Sequence, residues 1–428
     1  MSLLVGACVG VDGADFEEGI EEDVGVVRAA LNDAPRFSTN HGAQVAVTEA
    51  TDHINTAWVG MVDGVTQIVG EAFSNTTGQP FGTPPAPGSL IYTTNSRTKS
   101  NPSIAWDHQD SYTALIAWQE VVSSSDNNIR GQIVGDDGRT QGSNFTISST
   151  GQTFRERSPW VIVVPTPQGN KWLVTYTRRY PVGGSFAVAL STTLVSTGGT
   201  PEAFRDVVAS GVSESASRPT AAYDNSTGAI LFTWNDNKFV FVNSVSDYTY
   251  REPIQTVNGA NGIVAASNEF MGSYAVAYRV GSGTSATIHG RPFRWGCSAL
   301  SCSPDTTVIS AGGSITNLTN PVIAPVGTAF AIYSGKTLSN NAVGRITLAK
   351  MDDFGAVVQT VTNVNPACSQ ALQGTIGSPS TMAAATKRGE SEDRTFLIYG
   401  SFCNTRNRIV GSGRLPDITQ NLAFNVSD

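Results

Sequence analysis

Arginine side chains are the most conspicuous ligand-binding groups in this 428-residue chain, because they stand out against a net charge of −8. Guanidinium groups that converge bind carboxylates and sulfates through paired hydrogen bonds. The arginines of interest all fall in segments that the repeat described below assigns to one face: Arg155, Arg157, Arg178, Arg179, Arg218 and Arg279. With Tyr180 and Asp236, they predict a binding site for an acidic glycan or a peptide carboxylate.

Carboxylates in the same segments offer two alternatives. Glu120, Glu156 and Asp236 would pair with the arginines as solvated ion pairs, which leaves no ligand site. Two of these carboxylates at a suitable separation would instead form the active site of a glycoside hydrolase. A polysaccharide lyase built from Tyr180 beside Arg178 and Arg179 is a third reading, and the spacing does not choose among them.

Residues for familiar catalytic motifs are sparse. The chain has four histidines and no Gly-x-Ser-x-Gly turn of the kind that presents a nucleophilic serine. Its histidines and cysteines are not clustered at zinc-ligand spacing, and its acidic segments lack the twelve-residue calcium-loop pattern. We therefore expect no catalytic residue, no metal and no cofactor.

A repeat of about 58 residues positions these groups. Five copies open with an Xaa-Pro pair before an apolar run, and two weaker copies lack the proline. The copies start near Ala43, Asn101, Ser158, Arg218, Asn261, Asn320 and Ser378. Pro suits the first position of a strand, where its missing N–H costs no ladder bond.

A second apolar run in each copy ends in an aromatic residue. These residues are Trp58, Trp118, Tyr176, Trp234, Tyr278, Tyr333 and Tyr399. A ring at this position would fill the widening gap between two neighbouring twisted sheets, whereas the alternative is a ring of sugar-stacking aromatics. We predict burial, because every copy carries the ring and a binding site rarely uses seven.

Third and fourth runs complete each copy, as in segments 129–134 and 143–148, and four short strands joined by turns are typical of a β-propeller blade. From residue 37 to 428 the pattern resembles repeats of secreted bacterial β-propellers, a resemblance that implies a fold and no particular activity. The sequence thus predicts an all-β fold, a single seven-bladed β-propeller of four-stranded antiparallel blades.

In propellers, ligands collect at the mouth where the innermost strands begin. The arginines fall in copies three to five, so they would share one sector of that mouth. We expect a binding protein for a carbohydrate or protein ligand, leaning against catalysis. A carbohydrate-active enzyme and a structural scaffold are the alternatives.

The first residues indicate export. Leu3, Leu4, Val5, Gly6 and Ala7 precede Cys8 and resemble the lipobox of bacterial lipoproteins, which implies lipidation of that cysteine. The charged start and most of the apolar stretch of such a signal are missing. An acidic segment follows, so residues 1–36 are expected to form a truncated signal and a flexible tether.

The remaining cysteines number four, and an even set in an exported chain favours disulfides: Cys297, Cys302, Cys368 and Cys403. Proximity favours Cys297 with Cys302 and Cys368 with Cys403, although three pairings are open.

Composition narrows the partners. Charged residues make up 14% of the chain, and the acidic balance argues against nucleic acid, whose binding relies on neutralised phosphates. The sequence contains no apolar run of about 18 residues, so it predicts no membrane-spanning segment. We expect a monomer at the bacterial cell envelope, attached to the membrane only through Cys8, or a secreted protein.

Overall fold

A computed structural model describes the chain in segments. These are residues 45–49, 53–62, 64–74, 90–107, 111–149, 151, 154–213, 218–234, 237–245, 251–268, 271–294, 296, 303–312, 315–338, 344–362, 382–387, 394–403, 406–414 and 421–425. The expectations for Cys8, the 1–36 tether, Asp236, Cys297, Cys302 and Cys368 lie outside the described residues, and for Cys403 only the backbone is described.

Short antiparallel strands account for most of the described residues, and they group into blades in chain order. Blade one contains β1 (Val45–Glu49), β2 (His53–Val62), β3 (Val65–Ser74) and β4 (Leu90–Ile91). Blade two contains β5 (Lys99–Trp106), β6 (Ala114–Ser123), β7 (Asp126–Val134) and β8 (Thr140–Ser148). Blade three contains β9 (Arg155–Thr166), β10 (Gly169–Val182), β11 (Ser185–Ser196) and β12 (Arg205–Val208).

The second half of the chain repeats this order. Blade four contains β13 (Thr220–Tyr223), β14 (Ile230–Trp234), β15 (Lys238–Val242) and β16 (Gln255–Thr256). Blade five contains β17 (Ala260–Asn268), β18 (Ser273–Val280), β19 (Thr287–Arg294) and β20 (Thr306–Ser310), with a 3-10 turn at Gly283–Ser285. Blade six contains β21 (Ile315–Leu318), β22 (Val322–Val326), β23 (Ala329–Leu338), β24 (Gly344–Asp352) and β25 (Val357–Thr362). The last blade contains β26 (Met382–Lys387), β27 (Arg394–Cys403), β28 (Arg406–Arg414) and β29 (Asn421–Asn425).

The innermost strands of successive blades form a closed ring, and in blade six this strand is β22, the second along the chain. They lie side by side in the order β1, β5, β9, β13, β17, β22 and β26, and β26 lies against β1. In each blade the later strands follow outward as antiparallel neighbours. Only a single parallel bridge, from Asn127 to Arg155, joins blades two and three into one sheet. The predicted all-β propeller fold is thereby confirmed. Among the described residues no helix has the length and hydropathy needed to cross a membrane.

The hydrophobic core lies between blades. Successive residues of a strand point to opposite faces, so each blade packs on both neighbours. On β10, Trp172 belongs to a buried cluster shared with blade two, whereas Leu173 belongs to one shared with blade four. Burying both faces leaves the blades with little solvated sheet surface, which suits a chain with only 14% charged residues.

Six of the repeated aromatic side chains are described, and each is at most 1% exposed: Trp58, Trp118, Tyr176, Trp234, Tyr278 and Tyr333. Each lies on the strand that pairs with the inner strand of its blade. Five of them belong to the buried clusters between blades: Trp118, Tyr176, Trp234, Tyr278 and Tyr333. These rings are core residues, as the sequence predicts, and not an exposed series of sugar platforms.

A β-bulge marks the start of several inner strands. Asn101 and Ser158, which precede Pro102 and Pro159, have φ angles of 54° and 55°, and the register shifts beside them. Strands β5 and β9 begin before these prolines, so here Pro lies in the bulge and not at the first strand position. Neither location requires a main-chain N–H from the proline for the hydrogen-bond ladder, which is why proline is tolerated there.

Candidate functional site

The hairpin formed by β10 and β11 projects from blade three at the face where the inner strands begin. Arg179 on β10 lies opposite Arg155, the first residue of β9, so Tyr180 to Val182 extend beyond the inner strand. Gly183 and Gly184 close the hairpin, and both have positive φ angles. A two-glycine turn suits this geometry because both central residues of such a turn require the left-handed region.

Three exposed apolar side chains lie on this hairpin and on the segment before β12. Val182 is 50% exposed, Phe186 is 52% exposed and Phe204 is 39% exposed. We call the group formed by Arg178, Arg179, Tyr180, Phe186 and Phe204, together with Arg155 and Arg157 on the neighbouring strand β9, the blade-three rim.

Arg178 is held in place within the rim. Its Nη2 donates hydrogen bonds to both carboxylate oxygens of Asp206, at 2.8 and 3.0 Å, and its Nε lies 3.3 Å from Ser191 Oγ. The guanidinium stacks against Phe204 at 4.1 Å and Tyr180 at 4.7 Å. The Arg178 side chain is 7% exposed. It therefore orients the two aromatic rings and does not itself present a free cation.

Arg179 lies on the opposite face of the hairpin. Its guanidinium lies 3.6 Å from the centre of the Phe186 ring, well within the distance of about 6 Å at which a cation–π interaction forms. Arg155 and Arg157 share that face, because their register partners on β10 are Arg179 and Thr177. The sequence prediction that these cations lie together is consistent with this register. Arg155 also donates a hydrogen bond to the carbonyl of Ser124.

The remaining predicted site residues have structural partners elsewhere. Arg218 donates to the main-chain carbonyls of Asn101, Pro102 and Pro159, and burial lowers the pKa of its guanidinium. Arg279 donates to the carbonyl of Leu318 at 2.8 Å. These two arginines therefore tie neighbouring blades together, and neither joins the blade-three rim.

Tyr180 is anchored in the rim by its hydroxyl, which donates to the carbonyl of Ala209 at 2.5 Å. The anchor leaves the ring, and not the hydroxyl, as the part that a ligand would meet.

Blades one and two pair their own charges at the same face. Glu120 is 1% exposed and accepts hydrogen bonds from Arg97 at 2.9 Å and Asn95 at 2.8 Å. Lys99 is fully buried and donates to the carbonyl of Asn95, and burial lowers its pKa to about 8. In this sector Glu120 pairs with Arg97, which is not one of the six arginines of the predicted site. Glu156 is also fully buried.

A second polar cluster lies on the outer strands of blade five. Asp305 Oδ1 lies 2.7 Å from His289 Nδ1 and accepts a hydrogen bond from the Tyr278 hydroxyl at 2.8 Å. Arg291 contacts both Tyr278, at 3.0 Å, and Asp305, at 3.2 Å. These partners lower the pKa of Asp305 although burial opposes them. The cluster connects the three strands β18, β19 and β20, which explains its compact geometry.

Sequence reasoning missed three contributors to the rim, namely Phe186, Phe204 and Asp206. A signal for the first was present, because the Gly183-Gly184 pair between two strand-like runs indicates a hairpin and places Phe186 just beyond its turn. Nothing comparable marks Asp206, which lies 28 residues after Arg178. Among the described residues no group of three or more metal-ligating side chains is present.

Comparison with known proteins yields structural likeness only. Neither a protein family nor a curated protein matches the sequence. A polysaccharide lyase, Uly1, is 11% identical with a TM-score of 0.49, and the match covers 92% of this chain and 93% of that one. Sqt1 of Chaetomium thermophilum, bound to the N-terminus of the ribosomal protein L10, is 10% identical with a TM-score of 0.47, covering 91% and 90%. A subtype N10 neuraminidase-like protein of A/little yellow-shouldered bat/Guatemala/060/2010 is 11% identical with a TM-score of 0.39, and the match covers 92% of this chain and 97% of that one.

Proposed function

We propose that this chain is a non-catalytic binding propeller that holds an acidic carbohydrate on the blade-three rim. The observation that carries the proposal is the arrangement of Arg179 over the half-exposed Phe186, beside Arg155 and Arg157 on one face of the projecting hairpin. Aromatic rings stack on the apolar faces of sugars, and guanidinium groups bind carboxylates or sulfates bidentately. The rim supplies both chemistries within one hairpin.

The two faces of the rim would have different tasks. Tyr180 and Phe204 flank Arg178, whose charge is already compensated by Asp206, so this face offers aromatic surface. The face with Arg155, Arg157 and Arg179 carries three guanidinium groups, of which Arg179 stacks on Phe186. A polymer that crosses the hairpin would meet sugar-stacking and charge-binding groups in turn, which favours an extended acidic glycan.

Binding to defined polymers tests this function. We expect polygalacturonate and chondroitin sulfate to bind the full chain in titration calorimetry, and neutral dextran not to bind. Loss of one charge-assisted hydrogen bond is worth about 1.5–3 kcal/mol, so Arg179→Ala should weaken binding by at least about tenfold. Phe186→Ala should weaken it as well.

A matched control exists on another part of the molecule. Arg294 stacks on the exposed Phe354 at 5.5 Å and pairs with Asp353, so Arg294→Ala removes an equivalent cation from an equivalent aromatic ring. Binding should survive this change. An equal loss of affinity in Arg179→Ala and Arg294→Ala would mean that binding depends only on the overall charge of the protein. Unchanged affinity in both Arg179→Ala and Phe186→Ala would mean that the rim is not the binding site.

Product analysis of the same samples distinguishes binding from catalysis. A lyase acting on polygalacturonate would produce unsaturated uronates, which absorb in the ultraviolet, and a hydrolase would release reducing ends. Either product would overturn the non-catalytic part of the proposal. Capture of a peptide carboxylate without any glycan would identify a protein ligand instead.

A further inference from the structure

Three polar residues meet where the connection from β4 enters β5. Lys99, the first residue of β5, lies directly opposite Glu120 on β6, and both are buried, with exposed fractions of 0% and 1%. Asn95 precedes β5, and its side-chain Nδ2 donates a hydrogen bond to Glu120 Oε2 at 2.8 Å. The amine of Lys99 donates a hydrogen bond to the main-chain carbonyl of the same asparagine. We call these three residues the Lys–Asn–Glu cluster.

The chemical groups of the Lys–Asn–Glu cluster are those that exchange one amide for another. A lysine amine is a nucleophile when it is uncharged, and burial favours the uncharged form. Burial lowers the pKa of Lys99 to about 8, although Glu120 opposes the shift. Roughly a tenth of an amine with this pKa is uncharged at pH 7. Cγ of the Asn95 amide is the matching electrophile, and the Glu120 carboxylate is the acid–base group.

The Asn95 amide is hydrogen-bonded at both of its ends. Its Oδ1 accepts a hydrogen bond from the main-chain N–H of Arg97 at 3.0 Å. A donor at this oxygen stabilises the negative charge that develops there when a nucleophile adds to Cγ. Its Nδ2, the nitrogen that a substitution would expel, is the atom that contacts Glu120. The amide therefore has a donor for its oxygen and a proton carrier for its nitrogen.

Neighbouring residues fix the position of Asn95. Gln67 donates to its main-chain carbonyl at 3.0 Å, and Arg97 Nη1 occupies the other oxygen of Glu120 at 2.9 Å. Because this carbonyl and Cγ belong to one residue, rotation about the side-chain bonds of Lys99 carries Nζ from the first to the second. Asn95 itself is exposed, so a small leaving group can diffuse away.

We infer that Lys99 and Asn95 form an intramolecular amide cross-link, in a single-turnover reaction for which Glu120 is the catalytic residue. Nζ forms a bond to Cγ, the bond from Cγ to Nδ2 breaks, and Nδ2 leaves as ammonia. Glu120 accepts the proton that Nζ loses and transfers it to Nδ2, so the step needs neither an oxidant nor another reactant. The inference concerns the chain itself and does not depend on glycan binding at the blade-three rim.

The product suits the buried position better than the free amine does. Before the reaction, Lys99 and Arg97 lie beside the same carboxylate, that of Glu120. Amide formation replaces the Lys99 amine by a neutral group and leaves Glu120 paired with Arg97. Burying a neutral amide costs less free energy than burying a charged amine. The fold therefore favours the cross-link once it has brought the groups together.

Peptide mass mapping of the full chain tests the cross-link. Trypsin cleaves the linear chain after Arg97 and after Lys99, but it does not cleave after a lysine whose amine is part of an amide. We therefore expect segment 37–97 to stay joined to segment 98–130, with a mass lower by one ammonia than the two peptides together. Fragmentation of this product should locate the link between Asn95 and Lys99.

Four variants assign the roles. Lys99→Met removes the amine and Asn95→Ala removes the electrophile at an exposed position, so neither should form the cross-link. Glu120→Gln should slow its formation at pH 7 by at least about a hundredfold, because a positioned acid–base group contributes about 10²–10⁴-fold. Lys171→Met is the matched control, since it removes a lysine that pairs with Glu202, and it should cross-link as the unmodified chain does.

Three results would overturn the inference. The first is complete tryptic cleavage after Lys99 in the unmodified chain, even after incubation at pH 7. The second is an ammonia loss confined to segment 37–97 or one that persists in Lys99→Met, because Asn95 can cyclise without any lysine. The third, an unchanged rate of cross-linking in Glu120→Gln, would overturn the catalytic role of Glu120.

Discussion

The Ser103 hydroxyl on the inner strand of blade two accepts a hydrogen bond from the main-chain N–H of Val161 on the inner strand of blade three, at 3.0 Å. Thr48 makes the equivalent bond to Trp106, and Thr220 makes it to Ala265. A side chain from one blade thus satisfies an edge donor of the next. This contact recurs between three pairs of inner strands and links the local repeat to the closed ring.

Ser103→Ala should destabilise the fold through this contact. Ser103 is 3% exposed, so its removal leaves the Val161 N–H buried without its partner. An unsatisfied buried donor costs about 1–3 kcal/mol. Denaturant unfolding should show a loss of that size. Ser125→Ala, at an exposed position, is the control, and a loss equal in both variants would contradict the role of the contact.

Gly262→Ala should be more damaging than an ordinary glycine substitution. Gly262 has a φ angle of 60°, and a Cβ atom there would lie 2.2 Å from Cγ of Asn320 in the next blade. Gly211 has a φ angle of 83° with no atom within 4 Å of its hypothetical Cβ, so Gly211→Ala measures the backbone penalty alone.

The difference between the two variants isolates the clash. We expect Gly211→Ala to cost about 1 kcal/mol and Gly262→Ala to cost clearly more, by thermal or denaturant unfolding. Combining Gly262→Ala with Asn320→Gly should recover part of the loss. If the single variants are equal, the contact with Asn320 does not limit the packing of blades five and six.

The repeated aromatics show how much of the fold the sequence can reveal. Trp118 and Trp234 recur at the same place in their copies, and the structure buries both because every interface between blades has the same gap to fill. The recurrence of an aromatic residue can be seen in a single sequence, so the burial of these side chains could be predicted without the structure. The left-handed residue at Asn101 escaped prediction, because a bulge changes the register without changing the pattern of apolar residues.

The rim was harder to predict because its partners are distant. Arg178 lies near the end of β10 and pairs with Asp206, whereas Arg218 lies just before β13 and donates to the carbonyls of Pro159 and Asn101, 59 and 117 residues away. Sequence patterns indicate that an arginine lies near a strand end but not which group it meets.

Asp206→Ala should destabilise blade three and displace the rim. The change leaves Arg178, which is 7% exposed, without the carboxylate that binds it. Breaking a buried pair costs about 3–5 kcal/mol, and the partial exposure of Asp206 should reduce this to about 2–3 kcal/mol. Glu202→Ala removes the partner of Lys171 in a more exposed pair and should cost less than about 1 kcal/mol. Equal losses in urea unfolding would contradict the anchoring role of Asp206.

Glu71 should make stability depend on pH. Its side chain on β3 is 5% exposed, and burial raises its pKa to about 8. Below about pH 4.5 the carboxyl is protonated in both the folded and the unfolded chain. Between about pH 4.5 and 8 only the unfolded chain ionises, so the free energy of unfolding should fall by up to about 1.4 kcal/mol per pH unit. Above about pH 8 both states are ionised and this contribution is constant.

Glu71→Gln isolates that contribution, because glutamine is close in shape and does not titrate. Urea unfolding measured from pH 5 to pH 8 should show a smaller decline in the variant than in the unmodified chain, with the largest difference near pH 8. Glu202→Gln, at an exposed position, controls for the loss of one negative charge. Parallel stability profiles for the unmodified chain and Glu71→Gln would mean that Glu71 is ionised in the folded protein, and therefore that its carboxylate is solvated or paired there.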